Sequence, residues 1–113
     1  MTKPKARRIG WSLFLAVCSD GTYYCEMALD IAKRLREINI LGQGGRWFNR
    51  GEKRTPITVV YKETRLGFKE AFAKLRYMRE MNRAMKNRLV KTGKWPIGGS
   101  LRRYIEQKPV DKI

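Results

Sequence analysis

A tyrosine, a glutamate and an arginine in one short stretch are the residues of this sequence best placed to do chemistry. Tyr24 and Glu26 stand two positions apart in a segment typical of a strand, so their side chains share one face. Arg34 follows in a helical pattern, within reach of that face. The Glu26 carboxylate could bind a metal ion or pair with Arg34. We favour the ion pair, because one carboxylate beside an arginine is a weak metal site.

The composition argues against several other kinds of catalytic or metal site. The sequence has no histidine, so it offers neither a histidine general base nor a triad. Cys18 and Cys25 are its two cysteines and cannot supply four soft metal ligands. Across the predicted turn they also stand too far apart for a disulfide. We therefore expect two reduced thiols, and a cytoplasmic or other intracellular reducing compartment.

The elements that must position Tyr24 and Arg34 form a hairpin followed by a helix. Residues 11–18 are an almost unbroken apolar run, which predicts a strand covered on both faces. Ser-Asp-Gly at 19–21 is typical of a tight turn, and 22–25 have the β-branched and aromatic bias of a returning strand. Asp30 is placed to cap a helix that carries apolar residues at helical spacing.

The rest of the chain continues with a basic loop and three further elements. Residues 42–56 are glycine-rich and basic, and 57–64 alternate like a third strand. An apolar stripe over 67–81 predicts a long helix, and a shorter one is expected over 83–90. We divide the chain into a basic arm at 1–10, one α+β domain at 11–90 and a basic C-terminal extension at 91–113, which includes a last short helix at 101–107.

The charge of the chain points to a polyanionic partner. Lysine and arginine number 26 against 10 aspartates and glutamates, which gives a net charge of +16. Phosphates and their condensed counterions reward such clustered cations. Trp47 and Phe48 lie inside the basic loop, where they could stack on bases or anchor the loop to the core; we favour the anchor for the rings and phosphate binding for the charges. The residues expected to bind nucleic acid are Lys33, Arg34, Arg36, Arg46, Trp47, Arg50, Lys53, Arg54, Arg102 and Arg103.

A membrane is the weaker candidate for the partner of this basic chain. No apolar segment is long enough to cross a bilayer, and the start of the chain does not have the pattern of a signal peptide. The basic residues are spread over several elements instead of one amphipathic helix. We expect no membrane partner.

The order of elements and their motifs resembles the GIY-YIG nuclease superfamily, in its small single-domain bacterial type. The residues that carry the resemblance are FLAVCSDGTYYCEM, DIAKRL, RWFNRGEKRTPITVVYKET and KEAFAKLRYMREMNRAMKNRLV. The resemblance covers roughly residues 11–90 and implies a small three-stranded antiparallel sheet flanked by helices. It also implies the family's chemistry, which is hydrolysis of a phosphodiester with one divalent metal ion.

The resemblance implies a degenerate catalytic site. Tyr24 and Arg34 match the second-motif tyrosine and the helix arginine of the family. Leu75 stands where the family has its metal-binding glutamate, and an aliphatic side chain cannot ligate a hard cation. Three further positions depart from the pattern: Phe14 replaces a tyrosine, Glu26 a glycine and Ile38 a histidine.

Three functions remain open at this point. The leading hypothesis is a nucleic-acid-binding protein that has lost cleavage and needs no cofactor; its partner is DNA or RNA, alone or in a larger ribonucleoprotein or protein complex. The alternative is an active nuclease in which Glu26 is a relocated ligand for magnesium or manganese. The third is a basic protein–protein interaction module or inhibitor that docks on an acidic protein.

Overall fold

The computed structural model describes residues 10–49 and 53–95 as three strands and four helices. The strands are β1 (Trp11–Val17), β2 (Tyr23–Ala28) and β3 (Thr58–Leu66). The helices are α1 (Ile31–Asn39), α2 (Arg46–Asn49), α3 (Phe68–Glu80) and α4 (Arg83–Thr92). The expected α+β fold with a three-stranded antiparallel sheet is therefore confirmed. The N-terminal arm and the helix predicted at 101–107 lie outside the described residues.

Strand β1 lies at the centre of the sheet, whose order is β2-β1-β3 with both pairs antiparallel. Ser12 to Ala16 are all buried, as the unbroken apolar run predicts. The hairpin turn forms because the Asp20 carboxylate accepts hydrogen bonds from the Thr22 backbone and hydroxyl, at 3.1 and 2.7 Å. Gly21 has a φ of 90°, a conformation that favours glycine. The turn fixes the register that places Glu26 opposite Phe14.

Helices α1 and α4 begin where the sequence predicts. The Asp30 carboxylate accepts from the Lys33 backbone N–H at 3.1 Å, and the Asn82 side chain accepts from that of Met85 at 2.9 Å. The end of α1 is tied to the approach to β3, because the Asn39 amide both donates to and accepts from the Ile57 backbone. Helix α4 continues to Thr92, two residues past the expected boundary of the domain.

The core consists of two clusters on opposite faces of the sheet. Leu13 and Leu15 pack with α3 and α4, whereas Phe14 and Ala16 pack with α1. Successive strand residues point to opposite faces, which explains this alternation. Within residues 10–49 and 53–95, no helix is both long and apolar enough to cross a membrane.

One feature of the fold departs from the sequence interpretation. The segment predicted as a continuous loop contains the single-turn helix α2, which buries the Phe48 ring almost completely. Cys18 and Cys25 are both free, as expected, and the structure shows that both are buried.

Candidate functional site

Tyr24, Glu26 and Arg34 meet on the α1 side of the sheet. The Tyr24 hydroxyl donates a hydrogen bond to Glu26 Oε1. Arg34 Nε donates to Glu26 Oε2 at 2.6 Å, and the Arg34 and Glu26 side chains are 25% and 18% exposed. Both oxygens of the carboxylate are therefore engaged within the protein. The ion pair expected from the sequence is confirmed.

The Tyr24–Glu26–Arg34 cluster favours a neutral tyrosine and a charged arginine. Burial, and then the hydrogen bond and negative charge of Glu26, raise the pKa of Tyr24 well above its usual range. The hydrogen bond to Glu26 likewise raises the pKa of Arg34. Glu37 lies 3.4 Å from the same guanidinium, so Arg34 faces two carboxylates. A tyrosine in this environment is a poor nucleophile or base at neutral pH.

Aromatic rings surround Tyr24. The ring centroids of Phe48, Trp47 and Phe14 lie 4.8, 5.4 and 6.3 Å from that of Tyr24. The guanidinium of Arg54 lies 4.1 Å from the Trp47 ring centroid, a cation–π contact. Helix α2 thus covers the tyrosine with two rings. Phe48 anchors the segment as predicted, whereas Trp47 remains 40% exposed.

The other positions implied by the family resemblance fall in the two core clusters. Phe14 and Ile38 are 0% and 1% exposed and belong to the cluster against which Tyr24 packs. Leu75 is 4% exposed and packs in the other cluster, with Leu13 and Leu15. Leu75 therefore lies on the face of β1 opposite to Phe14.

The residues around Tyr24 do not fit a divalent metal ion. Both Glu26 oxygens already accept hydrogen bonds, and Leu75 packs in the core cluster on the other face of the sheet. In the described part of the chain, no three side chains of histidine, cysteine, aspartate or glutamate are grouped so that they could hold a metal.

The structure separates the expected nucleic-acid-binding residues into two groups. Lys33, Arg36 and Lys53 are exposed. Arg34 and Arg54 are partly buried in ion pairs, the second with Asp20 at 2.9 Å. Their role in binding, with that of exposed Trp47, stays a prediction. Four members of the set lie outside what the structure describes: the Arg46 side chain, Arg50, Arg102 and Arg103.

A second tyrosine–glutamate cluster lies on the α3 side of the sheet and was missed by the sequence analysis. Glu63 accepts hydrogen bonds from the Tyr61 hydroxyl, from Lys74 Nζ at 2.8 Å and from Trp95 Nε1 at 2.6 Å. The signal that could have found it is the repeated Tyr-x-Glu pattern, since Tyr61 and Glu63 repeat the spacing of Tyr24 and Glu26. The Glu63 cluster joins β3, α3 and the segment after α4.

We expect the Glu63 cluster to make folding stability depend on acid pH. Burial alone would raise the pKa of Glu63, but the hydrogen bonds from Lys74, Tyr61 and Trp95 outweigh burial and lower it. A lowered pKa gives stability that is present above the ordinary glutamate pKa of about 4.3 and is lost as pH falls through the lowered value. Urea unfolding measures the change at about pH 6 and about pH 3. The free energy of unfolding should fall further in wild type than in Glu63→Gln, by an extra amount of up to roughly 1 kcal/mol.

The matched control for this pH effect is Glu70→Gln, because Glu70 also contacts Lys74 but is half exposed. Its stability should follow that of wild type over the same pH range. An equal loss of stability in wild type and Glu63→Gln would contradict the lowered pKa.

Fold and site together define a small α+β domain, built on a three-stranded antiparallel sheet with a Tyr–Glu–Arg cluster on one face. The chain is 30% identical over 89 residues to a UPF0213 protein of Desulfotalea psychrophila, and this alignment covers 79% of the chain and 78% of the relative. It is 34% identical over 77 residues to a UPF0213 protein of Halobacterium salinarum, and this alignment covers 68% of the chain and 95% of the relative. The chain belongs to the UPF0213 family. No family model and no solved structure matches it.

Proposed function

We propose that this chain is a nucleic-acid-binding protein with a GIY-YIG endonuclease-like fold that has lost phosphodiester cleavage. The observation that carries the proposal is the engagement of both Glu26 oxygens, one by the Tyr24 hydroxyl and one by the Arg34 guanidinium. The tyrosine and arginine that the resemblance assigns to the substrate phosphate are thus bound to a carboxylate of the protein itself.

The electrostatics of the cluster support this proposal. A phosphate that replaced the Glu26 carboxylate at Arg34 would first have to break a charge-assisted hydrogen bond of 2.6 Å. The Glu26 charge would also repel the incoming phosphate. An ion pair in this place stabilises the fold and opposes the binding of substrate in a reactive position.

The charge of the chain supports retained affinity for nucleic acid. A net charge of +16 greatly exceeds what solubility requires. Lysine and arginine that neutralise phosphates release condensed counterions, which is the main source of sequence-independent binding. We therefore expect oligonucleotide affinity that falls linearly with salt on a double-logarithmic plot.

A cleavage assay tests the loss of activity. Purified protein is incubated with plasmid, single-stranded DNA and RNA in the presence of magnesium or manganese, and no cleavage above the buffer control is expected. The Glu26→Gln variant is the matched control, because its amide can still accept from Tyr24 but is a weaker metal ligand. Cleavage by wild type that disappears in Glu26→Gln would overturn the proposal and favour the relocated-ligand nuclease.

A further inference from the structure

The positive charge of the chain is unevenly distributed over its elements. Residues 11–39, which span the hairpin and α1, contain three basic and four acidic residues. Helices α3 and α4 contain eight basic and two acidic residues. The hairpin and α1 therefore have almost no net charge, whereas α3 and α4 together carry +6 of the chain's +16.

Most of the basic side chains on α3 and α4 are exposed. On α3, Lys69, Arg76 and Arg79 lie along one stripe, because helix residues advance by about 100° each. Lys69 and Arg76 are separated by seven residues, which is about 10 Å along the helix axis. The exposed basic residues of the two helices are Lys69, Arg76, Arg79, Arg83, Arg88 and Lys91.

Two arginines near Tyr24 are held in ion pairs within the protein. Arg34 pairs with Glu26 and Glu37, and Arg54 pairs with Asp20 while its guanidinium lies over Trp47. These two arginines already use their charge inside the protein. On α3, the ion pairs with Glu63 and Glu70 are made by the less exposed Lys74.

The exposed residues of α3 and α4 also lack the apolar centre of a protein-binding surface. Protein interfaces are organised around buried aromatic or aliphatic anchors. Among the described residues, five large hydrophobic side chains are exposed, and only Phe68, at the first position of α3, belongs to these two helices. The other four lie elsewhere: Leu29, Ile40, Leu41 and Trp47. A surface rich in cations and poor in exposed apolar groups matches a phosphate backbone better than an acidic protein.

We propose that α3 and α4 form the main nucleic-acid-binding surface, on which Lys69, Arg88 and Lys91 contact the phosphate backbone independently of base sequence. This inference rests on the proposed function. It places the main binding surface on the two later helices, and not on the loop and α1 residues expected from the sequence. Contacts to phosphate position a nucleic acid without reading its bases.

Two charge-matched triple variants test the location. The first is Lys69→Gln, Arg88→Gln and Lys91→Gln on α3 and α4, and the second is Lys33→Gln, Arg36→Gln and Lys53→Gln on α1 and the loop. Each removes three exposed cations of the same types. Affinity for a labelled DNA duplex and for an RNA duplex of the same sequence is measured by fluorescence anisotropy over a salt series, and circular dichroism verifies the fold of each variant.

The α3–α4 variant is expected to lose roughly 10- to 100-fold in affinity at low salt, and its salt slope on DNA should fall by up to about 3, since each lost phosphate contact removes about 0.9. The second variant should lose several-fold less. A charge-conserving variant, Lys69→Arg, Arg88→Lys and Lys91→Arg, should keep most of the affinity. If the triple glutamine variant unfolds, the single variants Lys69→Gln, Arg88→Gln and Lys91→Gln are measured instead, and each should lower the salt slope by about 0.9.

Each other outcome has one meaning. If wild type binds both duplexes but the α1 and loop variant shows the larger loss, the location on α3 and α4 is wrong while nucleic-acid binding stands. If wild type binds neither duplex at low salt, the proposed function fails together with this inference, and an acidic protein becomes the favoured partner.

Discussion

Replacing Leu75 with glutamate is expected to lower the free energy of unfolding by at least about 3 kcal/mol. Leu75 is 4% exposed and packs among apolar residues that include Leu13, Met78 and Leu89. A carboxylate at this position would be buried among these apolar side chains, away from water and without a cation beside it. The glutamate that the family resemblance expects at this position would therefore destabilise the domain and would not restore a metal site. Urea unfolding at neutral pH measures the change.

Leu75→Met is the matched control for this substitution. It keeps the side chain apolar and nearly the same in volume, so a loss below about 1.5 kcal/mol is expected. The measurement is repeated with manganese. A Leu75→Glu protein as stable as wild type, or one that manganese stabilises, would show that this position reaches solvent and a ligand set, against the packing described here.

Replacing Glu26 with alanine is expected to cost about 1 to 2 kcal/mol of folding stability. The change leaves the Arg34 guanidinium, three-quarters buried, with Glu37 at 3.4 Å as its acidic contact. It also removes the acceptor of the Tyr24 hydroxyl. Losing one partner of a fully buried pair costs about 3 to 5 kcal/mol, and the value here is smaller because part of each side chain reaches water.

A double-mutant cycle with Arg34→Ala shows whether Glu26 and Arg34 act as a unit. Their coupling should be about 1 kcal/mol, so the loss in the double variant should be about 1 kcal/mol smaller than the sum of the two single losses. Glu70→Ala is the matched control, because its pair with Lys74 is half exposed and should contribute less than about 0.5 kcal/mol. Additive losses for Glu26 and Arg34 would mean that the contact contributes nothing.

The elements of the fold were predictable where the signal is local. Asp30 and Asn82 cap their helices, and Asp20 with Gly21 forms the turn, because each acts on backbone groups within a few residues. The Tyr24–Glu26–Arg34 cluster was predictable for a related reason. Strand alternation places the first two on one face, and the helix that starts soon after them, at Ile31, has few positions from which an arginine could reach them.

The parts that could not be predicted depend on contacts between distant positions. Helix α2 is a single turn, too short for an apolar period, and its Phe48 is buried by tertiary packing. The bond from Trp95 to Glu63 spans 32 positions, and that from Arg54 to Asp20 spans 34. No local pattern selects one partner among several at such separations. The sequence therefore indicated the local pair of Glu26 with Arg34, but not the ion pairs that join distant positions.

The unequal charge of the hairpin and of helices α3 and α4 makes the domain an electric dipole. A dipole that drifts towards a polyanion experiences a torque, so its cationic end turns forward before any contact forms. The torque acts over a screening length of about 8 Å at physiological ionic strength and about 30 Å in dilute buffer. At low salt the domain should therefore approach the nucleic acid already oriented. Added salt should lower the association rate constant by a larger factor than it raises the dissociation rate constant.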